Sequence, residues 1–246
     1  MRVCAAPPFV AGHALSCDAR WRPLDLLRLQ RLPAFDDEPA WVRAAFARAP
    51  YAVVRRALAD SDFVAIGVRG VERAQRYGTW VHAEDIVTAV PPETLVQRAP
   101  LTGRAGLPPF AALAALQCEA TGALAGFVWG PTGSAGFELA ARVATVNESS
   151  DLDLLIRTPE PLARELARAL LDQLQALAKH VGIRVDAQLE TPAGGVALSE
   201  WAADKARVMA RGAWGPQLIA DPWAAVPGAV PVVVPGVMPM TRDGAL

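Results

Sequence analysis

The stretch "GPTGSAGFELA", residues 130–140, is followed by "SDLDLLI", residues 150–156. The second segment alternates acid with leucine, the period-two signature of a strand. Asp151 and Asp153 then point to one side, while Leu152, Leu154 and Ile156 point to the other and pack. Two carboxylates so arranged stand about 7 Å apart by strand rise and repel each other when ionised. Carboxylates beside an apolar core are costly unless a positive group sits on them. Oxygen-only ligands favour Mg²⁺ or Mn²⁺, and Mg²⁺ usually shares its shell with substrate phosphates.

Two further features extend this pair. Asp186 falls mid-strand in "IRVDAQLE". If that strand neighbours the first, three carboxylates can hold one or two metals and receive a proton from an attacking hydroxyl. Upstream, Gly133 and Ser134 fall where a strand ends and a helix begins. Backbone amides at the positive end of a helix form an anion seat. Gly133 lets the chain approach a phosphate closely, and Ser134 adds a hydroxyl donor. Together these describe a clamp for a nucleotide triphosphate. Each part alone also has an ordinary reading: a solvated strand edge, a helix cap, an Asp186 paired with Arg184. Their order along the chain, strand-turn-helix, acid pair, later acid, is what chance seldom produces. Other motifs fail on the residues. No Gly-Lys-Ser/Thr follows, so there is no P-loop, and Thr132 stands where a nucleophile elbow needs Gly. Gly130, Gly133 and Gly136 miss the dinucleotide spacing.

Composition narrows the class. With 52% hydrophobic residues in 246, the chain can bury a sizeable core. A net charge of -1 argues against a nucleic-acid coat or a polybasic membrane patch. Lys occurs only at 179 and 205, and every other strong base is Arg. Arg suits phosphate oxygens, although a GC-rich genome accounts for much of the bias. Cys4, Cys17 and Cys118 have no metal or CxxC spacing and read as buried or incidental thiols in a reducing cytoplasm. Pro7 and Pro8 interrupt the apolar N-terminal stretch and His13 lies within it, which speaks against an export signal. No apolar run reaches membrane-spanning length, so a cytoplasmic protein with no membrane contact is expected.

The remaining pattern predicts a loose extension over 1–20 and a short helix over "PLDLLRLQ" (23–30). A second helix is expected over 37–49, with Asp37 as cap and Pro39 in its first turn. "YAVVRRA", "FVAIGVRG" and "TWVHAEDIVTAV" read as extended chain. The Gly/Pro-rich "APLTGRAGLPP" (99–109) marks a domain boundary. Beyond it come a helix over 110–120, a strand over 127–129, a helix over 137–142 and the acidic strand. An amphipathic helix over 161–180 presents Leu162, Leu166, Ala169, Leu170, Leu174 and Leu177 on one face. The strand of Asp186 follows, then a helix within "VALSEWAADKARVMA" capped by Ser199, and a proline-rich extended tail. Two domains are expected, 1–105 and 106–246, and an α+β chain overall: a smaller α/β N-terminal half and a catalytic half of mixed sheet with helices.

The ordered set resembles the nucleotidyltransferase superfamily, the DNA polymerase β-like fold, over about 125–200. "WGPTGSAGFELA", "SDLDLLIR", "IGVRGVERAQRYGTWV" and "RPLDLLRL" resemble more closely the phosphoribosyl-dephospho-CoA transferases of the malonate decarboxylase system, also called malonate decarboxylase holo-acyl-carrier-protein synthases. That likeness spreads from about residue 21 to residue 215. It implies a triphosphoribosyl-dephospho-CoA donor, attack by a serine hydroxyl of the apo acyl-carrier subunit on the α-phosphorus, and release of diphosphate. It also implies that Asp151 and Asp153 hold Mg²⁺ against the phosphates, with Gly133 and Ser134 holding the phosphate tail. Asp186 is the candidate third ligand or base. Arg69, Arg73 and Arg76 would meet donor phosphates or acidic groups of the carrier, or form an exposed basic turn; Arg157 is a weaker phosphate candidate. Two other functions stay open: a nucleotidyltransferase that adenylylates a protein or small molecule, and a non-catalytic nucleotide-binding or carrier-docking module.

Overall fold

The computed structural model describes residues 3–7, 20–36, 38–118, 122 and 124–224. It is α+β, with two six-stranded sheets.

The first sheet contains β1 (Val3–Cys4), β2 (Leu26–Leu29), β3 (Tyr51–Val54), β4 (Phe63–Arg69), β5 (Arg76–His82) and β6 (Ile86–Val90), in the order β1-β5-β4-β3-β2-β6. β-Branched and aromatic residues favour these segments. Val64, Ile66 and Val68 of β4 and Tyr77 and Val81 of β5 are all buried. Each fully buried side chain of this size contributes about 1.5–3 kcal/mol. Helix α1 (Trp41–Arg48) covers the sheet with Val42 and Ala45. The expected α/β half is thus built on an antiparallel sheet, with β1–β5 its one parallel pairing among the described residues.

Four local expectations change here. Residues 23–30 form strand β2 rather than a helix. Leu24 sits at φ 70, which a helix does not accept, and β2 lies between β3 and β6 with hydrogen bonds to both. Tertiary pairing overrides a leucine pattern that suits either element. Helix α1 begins at Trp41 with Ala40 as N-cap, so Pro39 precedes the first turn, and Asp37 lies outside the described residues. Residues 3–5 are not loose: the Ala5 amide donates to the Gly78 carbonyl at 2.9 Å, extending the β1–β5 pairing. Cys4 and Cys118 are free and exposed, not buried, and Cys17 lies outside the described residues.

The second sheet follows α2 (Pro92–Leu95) and α3 (Pro108–Cys118). It contains β7 (Val128–Pro131), β8 (Leu152–Arg157), β9 (Val185–Thr191), β10 (Gly194–Ala197), β11 (Val208–Gly212) and β12 (Gly215–Ile219), in the order β12-β11-β10-β9-β8-β7. Helix α4 (Gly133–Ala141) joins β7 to β8, and α5 (Arg164–Val181) crosses between the parallel strands β8 and β9. Leu152, Leu154 and Ile156 of β8 are at most 1% exposed, as the alternation requires. Helix α5 buries Ala167, Leu170 and Leu174, ends at Gly182 in the left-handed region, and carries Lys179 and His180 near its negative end. Leu166, assigned to the same face, is 48% exposed. The helix expected within 196–210 is the short α6 (Leu198–Ala202), and β10 and β11 take the chain on either side of it. Ser199 lies inside α6, whose N-cap is Ala197. Val208 and Ala210 are buried at period two, which extends the sheet beyond β10. The proline-rich tail lies outside the described residues.

The two sheets share a seam. Leu26 and Ala49 belong to the core of the second half, and Tyr51 meets Phe137 edge-on at 6.5 Å between ring centres. Arg157 Nη2 donates to Asp25 at 2.9 Å and to Glu93 at 3.3 Å, and Glu93 also receives Arg22. Arg56 binds Glu190 through both Nε and Nη2. Arg157 and Asp25 are under a tenth exposed, so burial pushes the Asp25 carboxyl up, against the Arg22 amide and the Arg157 guanidinium. Among the described residues no helix is long and apolar enough to cross a membrane.

Candidate active site

Helix α4 starts directly on β7. Thr132 is its N-cap, and the Thr132 amide donates to the Asp153 carbonyl at 2.8 Å, tying the turn to β8. Gly133 takes φ +59, and a Cβ there would stand 2.9 Å from the Asp153 carboxyl carbon and nearer still to Oδ2. Only a residue without a side chain fits this close approach. The bend and the acids therefore meet. In the parallel register Asp153 faces Asp186 across β8–β9, and Asp151 stands at the entrance to β8. Asp151, Asp153, Asp186 and Gly133 come together at one end of the second sheet.

The charges around these acids are specific. Arg184 reaches both Asp151, at 3.2 Å, and Asp186. Arg73, from the turn between β4 and β5, reaches Asp151 at 3.2 Å. Asp153 carries neither a hydrogen bond nor an ion pair on its carboxylate among the described residues. Burial pushes its carboxyl up, and the neighbouring Asp186 and Asp151 push it further, against Arg184 and Arg73. Across from it sits Arg69, drawn down to about 10 by burial first and then by Arg76 and Arg48. Arg69 makes no ion pair among the described residues, its Nε is buried without a partner, and its guanidinium lies 5.6 Å from the Phe137 ring centre. A buried cation held among like charges is primed to receive an anion.

A cleft of about 1080 Å³ lies between the sheets. Arg55, Arg69 and Arg76 face it from the first; Gly133, Asp153 and Asp186 face it from the second. Thr132 and Gly133 line it, whereas Ser134 does not. Arg73 stands at the mouth, 81% exposed, joined to Asp151. Arg157 is outside the cleft, committed to Asp25 and Glu93 in the seam. Among the described residues no three His, Cys, Asp or Glu side chains are gathered into a ready metal cage.

The chain is matched over most of its length by known proteins. The family model for the N-terminal domain of phosphoribosyl-dephospho-CoA transferase MdcG matches residues 5–92, and the model for its C-terminal domain matches residues 95–222. The chain belongs to the phosphoribosyl-dephospho-CoA transferase family. Phosphoribosyl-dephospho-CoA transferase of Pseudomonas aeruginosa is 47% identical over 203 residues, covering 82% of this chain and 93% of the relative. That of Azotobacter vinelandii is 44% identical over 190 residues, 76% and 87% of the two chains. That of Klebsiella pneumoniae is 40% identical over 206 residues, 82% and 96%. No solved structure matches. The chain is accordingly a member of a transferase family. The carboxylates and Gly133 fall in the family's C-terminal domain, Arg69 and Arg76 in its N-terminal domain, and the cleft lies between the two.

Sequence reasoning overlooked Arg55 and Gln188 as cleft residues and saw Arg184 only as a neighbour of Asp186. Gln188 carried a legible signal, since it lies two residues beyond Asp186 on the same strand face. Arg55 carried none, because its position depends on how the first sheet meets the second.

Proposed function

We propose that this chain attaches the 2'-(5''-triphosphoribosyl)-3'-dephospho-CoA group to a serine of the apo acyl-carrier subunit of malonate decarboxylase, releasing diphosphate, with its second half acting as a nucleotidyltransferase of the DNA polymerase β-like kind. The observation that carries this reading is the facing of two opposite charge sets across one cleft. Asp153 and Asp186 stand on one wall, with Asp151 beside them at the entrance to β8, and the buried Arg69, with Arg76 and Arg55 beside it, stands on the other. A polyanionic donor needs the second set, and a displacement at phosphorus with a departing diphosphate needs the first. The names of the relatives supply the dephospho-CoA part of the donor.

The donor set suits a hard divalent cation. Every candidate ligand is a carboxylate oxygen, and Asp153 is unbonded and strained by like charge. Asp151 and Asp153 would hold Mg²⁺ or Mn²⁺, with phosphate oxygens completing the shell. The bound cation supplies charge neutralisation for the α-phosphate and the leaving diphosphate. The chain's own residues do the rest. Gly133 admits the phosphate tail to the start of α4, where amide groups and the helix dipole face it. Arg69 and Arg76 hold the tail from the opposite wall. The serine oxygen forms a bond to the α-phosphorus as the bond from that phosphorus to the diphosphate oxygen breaks. The hydroxyl proton passes to Asp186. Such a displacement is catalysed mainly by position and charge.

The test is diphosphate release with purified apo carrier, the triphosphoribosyl donor and Mg²⁺. Asp153→Asn should lose about a hundredfold or more of turnover, as removal of a transition-state contact does, with its unfolding midpoint kept. Turnover equal to wild type would refute the assignment. ATP in place of the donor separates this reaction from adenylylation.

A further inference from the structure

The wall of the cleft beyond the carboxylates holds a polar side chain that the phosphate chemistry leaves unused. Gln188 lies in β9 between Leu155 of β8 and Ala197 of β10, so its backbone is secured on both sides. It shares a strand face with Asp186, about 7 Å further along by strand rise. It lines the cleft, yet its Nε2 is buried and has no hydrogen-bond partner. A buried amide donor left unbonded costs about 1–3 kcal/mol, so its retention calls for a ligand that bonds it.

Its surroundings suit a flat ligand. Gly195 lets two side chains close over its backbone: the point where a Cβ would stand is 2.7 Å from Gln188 Nε2 and 2.8 Å from Arg56 Cζ, so the guanidinium lies beside the carboxamide. The Arg56 guanidinium is held in place by Glu190 through two of its nitrogens. A fixed guanidinium plane next to an unpartnered carboxamide at the cleft wall offers stacking and paired hydrogen bonding within one small space. Adenine meets both demands. Its exocyclic amine donates to Gln Oε1, and ring N7 accepts from Nε2, the pairing by which Gln reads adenine elsewhere. Hypoxanthine places a carbonyl where that amine stood and sets two acceptors against each other.

We propose that Gln188, backed by the Arg56 plane, is the residue that reads the base of the donor and selects adenine. This rests on the reading of the donor as a dephospho-CoA derivative. The base then lies beyond the reacting phosphate on the same wall, with the sugars of the donor spanning the interval from Asp186.

The test is calorimetric binding of dephospho-CoA and of its hypoxanthine counterpart to the full chain. Wild type should prefer the adenine form by roughly ten- to a hundredfold, the discrimination expected of one bidentate pair. Gln188→Leu should bind both with similar affinity. Gln188→Glu keeps the shape while removing the donor, so it should also lose the preference, and it serves if the leucine variant fails to fold. Variants that discriminate as wild type does, or a wild type that binds both forms equally, would overturn the assignment of Gln188 while leaving the transferase reading intact. A wild type that binds neither form would sink that reading, and this one with it.

Discussion

Gly133→Ala is the sharpest probe of the catalytic wall, because a single methyl group separates two consequences. The backbone at Gly133 has φ +59, where an L side chain costs about 1–2 kcal/mol. That loss appears in stability and should read as a lowered urea midpoint with an unchanged slope. The second consequence is local. The new Cβ would stand 2.9 Å from the Asp153 carboxyl carbon, against 3.4 Å for ordinary contact, and it presses harder on Oδ2. The carboxylate has to swing away by about 1 Å, a displacement that can cost about a hundredfold in rate at a reacting centre. Diphosphate release, normalised to the folded fraction, should therefore fall far more than the stability loss explains. A variant with the lowered midpoint but wild-type turnover would refute the reasoning, since the Asp153 carboxylate would then have no part beside the reacting phosphate.

Two further outcomes follow from the charged interior. Arg157→Met strands the Asp25 carboxylate in the seam and leaves Glu93 with Arg22 alone, and it should lower stability by about 3–5 kcal/mol, while donor affinity of the folded protein stays unchanged; a stable variant with weakened donor binding would return Arg157 to the phosphate site. Glu138, fully buried in α4, accepts from Arg104 and from the Thr145 and Val146 amides. Burial alone pushes its carboxyl up, but these donors together hold it below the ordinary 4.5. Because the folded value is depressed, its contribution is complete above pH 4.5 and drains away as pH falls through the native value. Denaturation curves between neutral and acid pH should show that loss in wild type and a shallower slope in Glu138→Gln; equal slopes would contradict it.

The acidic strand was legible because its chemistry and its periodicity coincide. Asp151 and Asp153 alternate with leucines that have to be buried, and the Gly133 bend lies where β7 passes into α4. The mid-strand position of Asp186 was legible too, but its pairing with Asp153 follows from register, which no local pattern fixes. The errors fell where a leucine run suits either period. Residues 23–30 suit helical spacing, and strand neighbours on both sides decide otherwise; within 196–210 a helix does form, but only over the five residues of α6. The cleft itself was hidden for a different reason. Arg69 becomes a buried cation with no ion pair among the described residues only when two sheets from different stretches of the chain meet, and Arg157 becomes structural only because Asp25 and Glu93 arrive from the other half.

The seam of ion pairs also governs how the enzyme is entered. Swinging the two halves apart like jaws would separate Arg157 from Asp25 and Arg56 from Glu190 in places nearly closed to water, at several kcal/mol for each pair. Thermal motion seldom supplies that much, so the aperture stands at one width. The burden of adjustment then falls on the flexible cargo, which has to bend itself into a slot whose walls were set when the polypeptide folded.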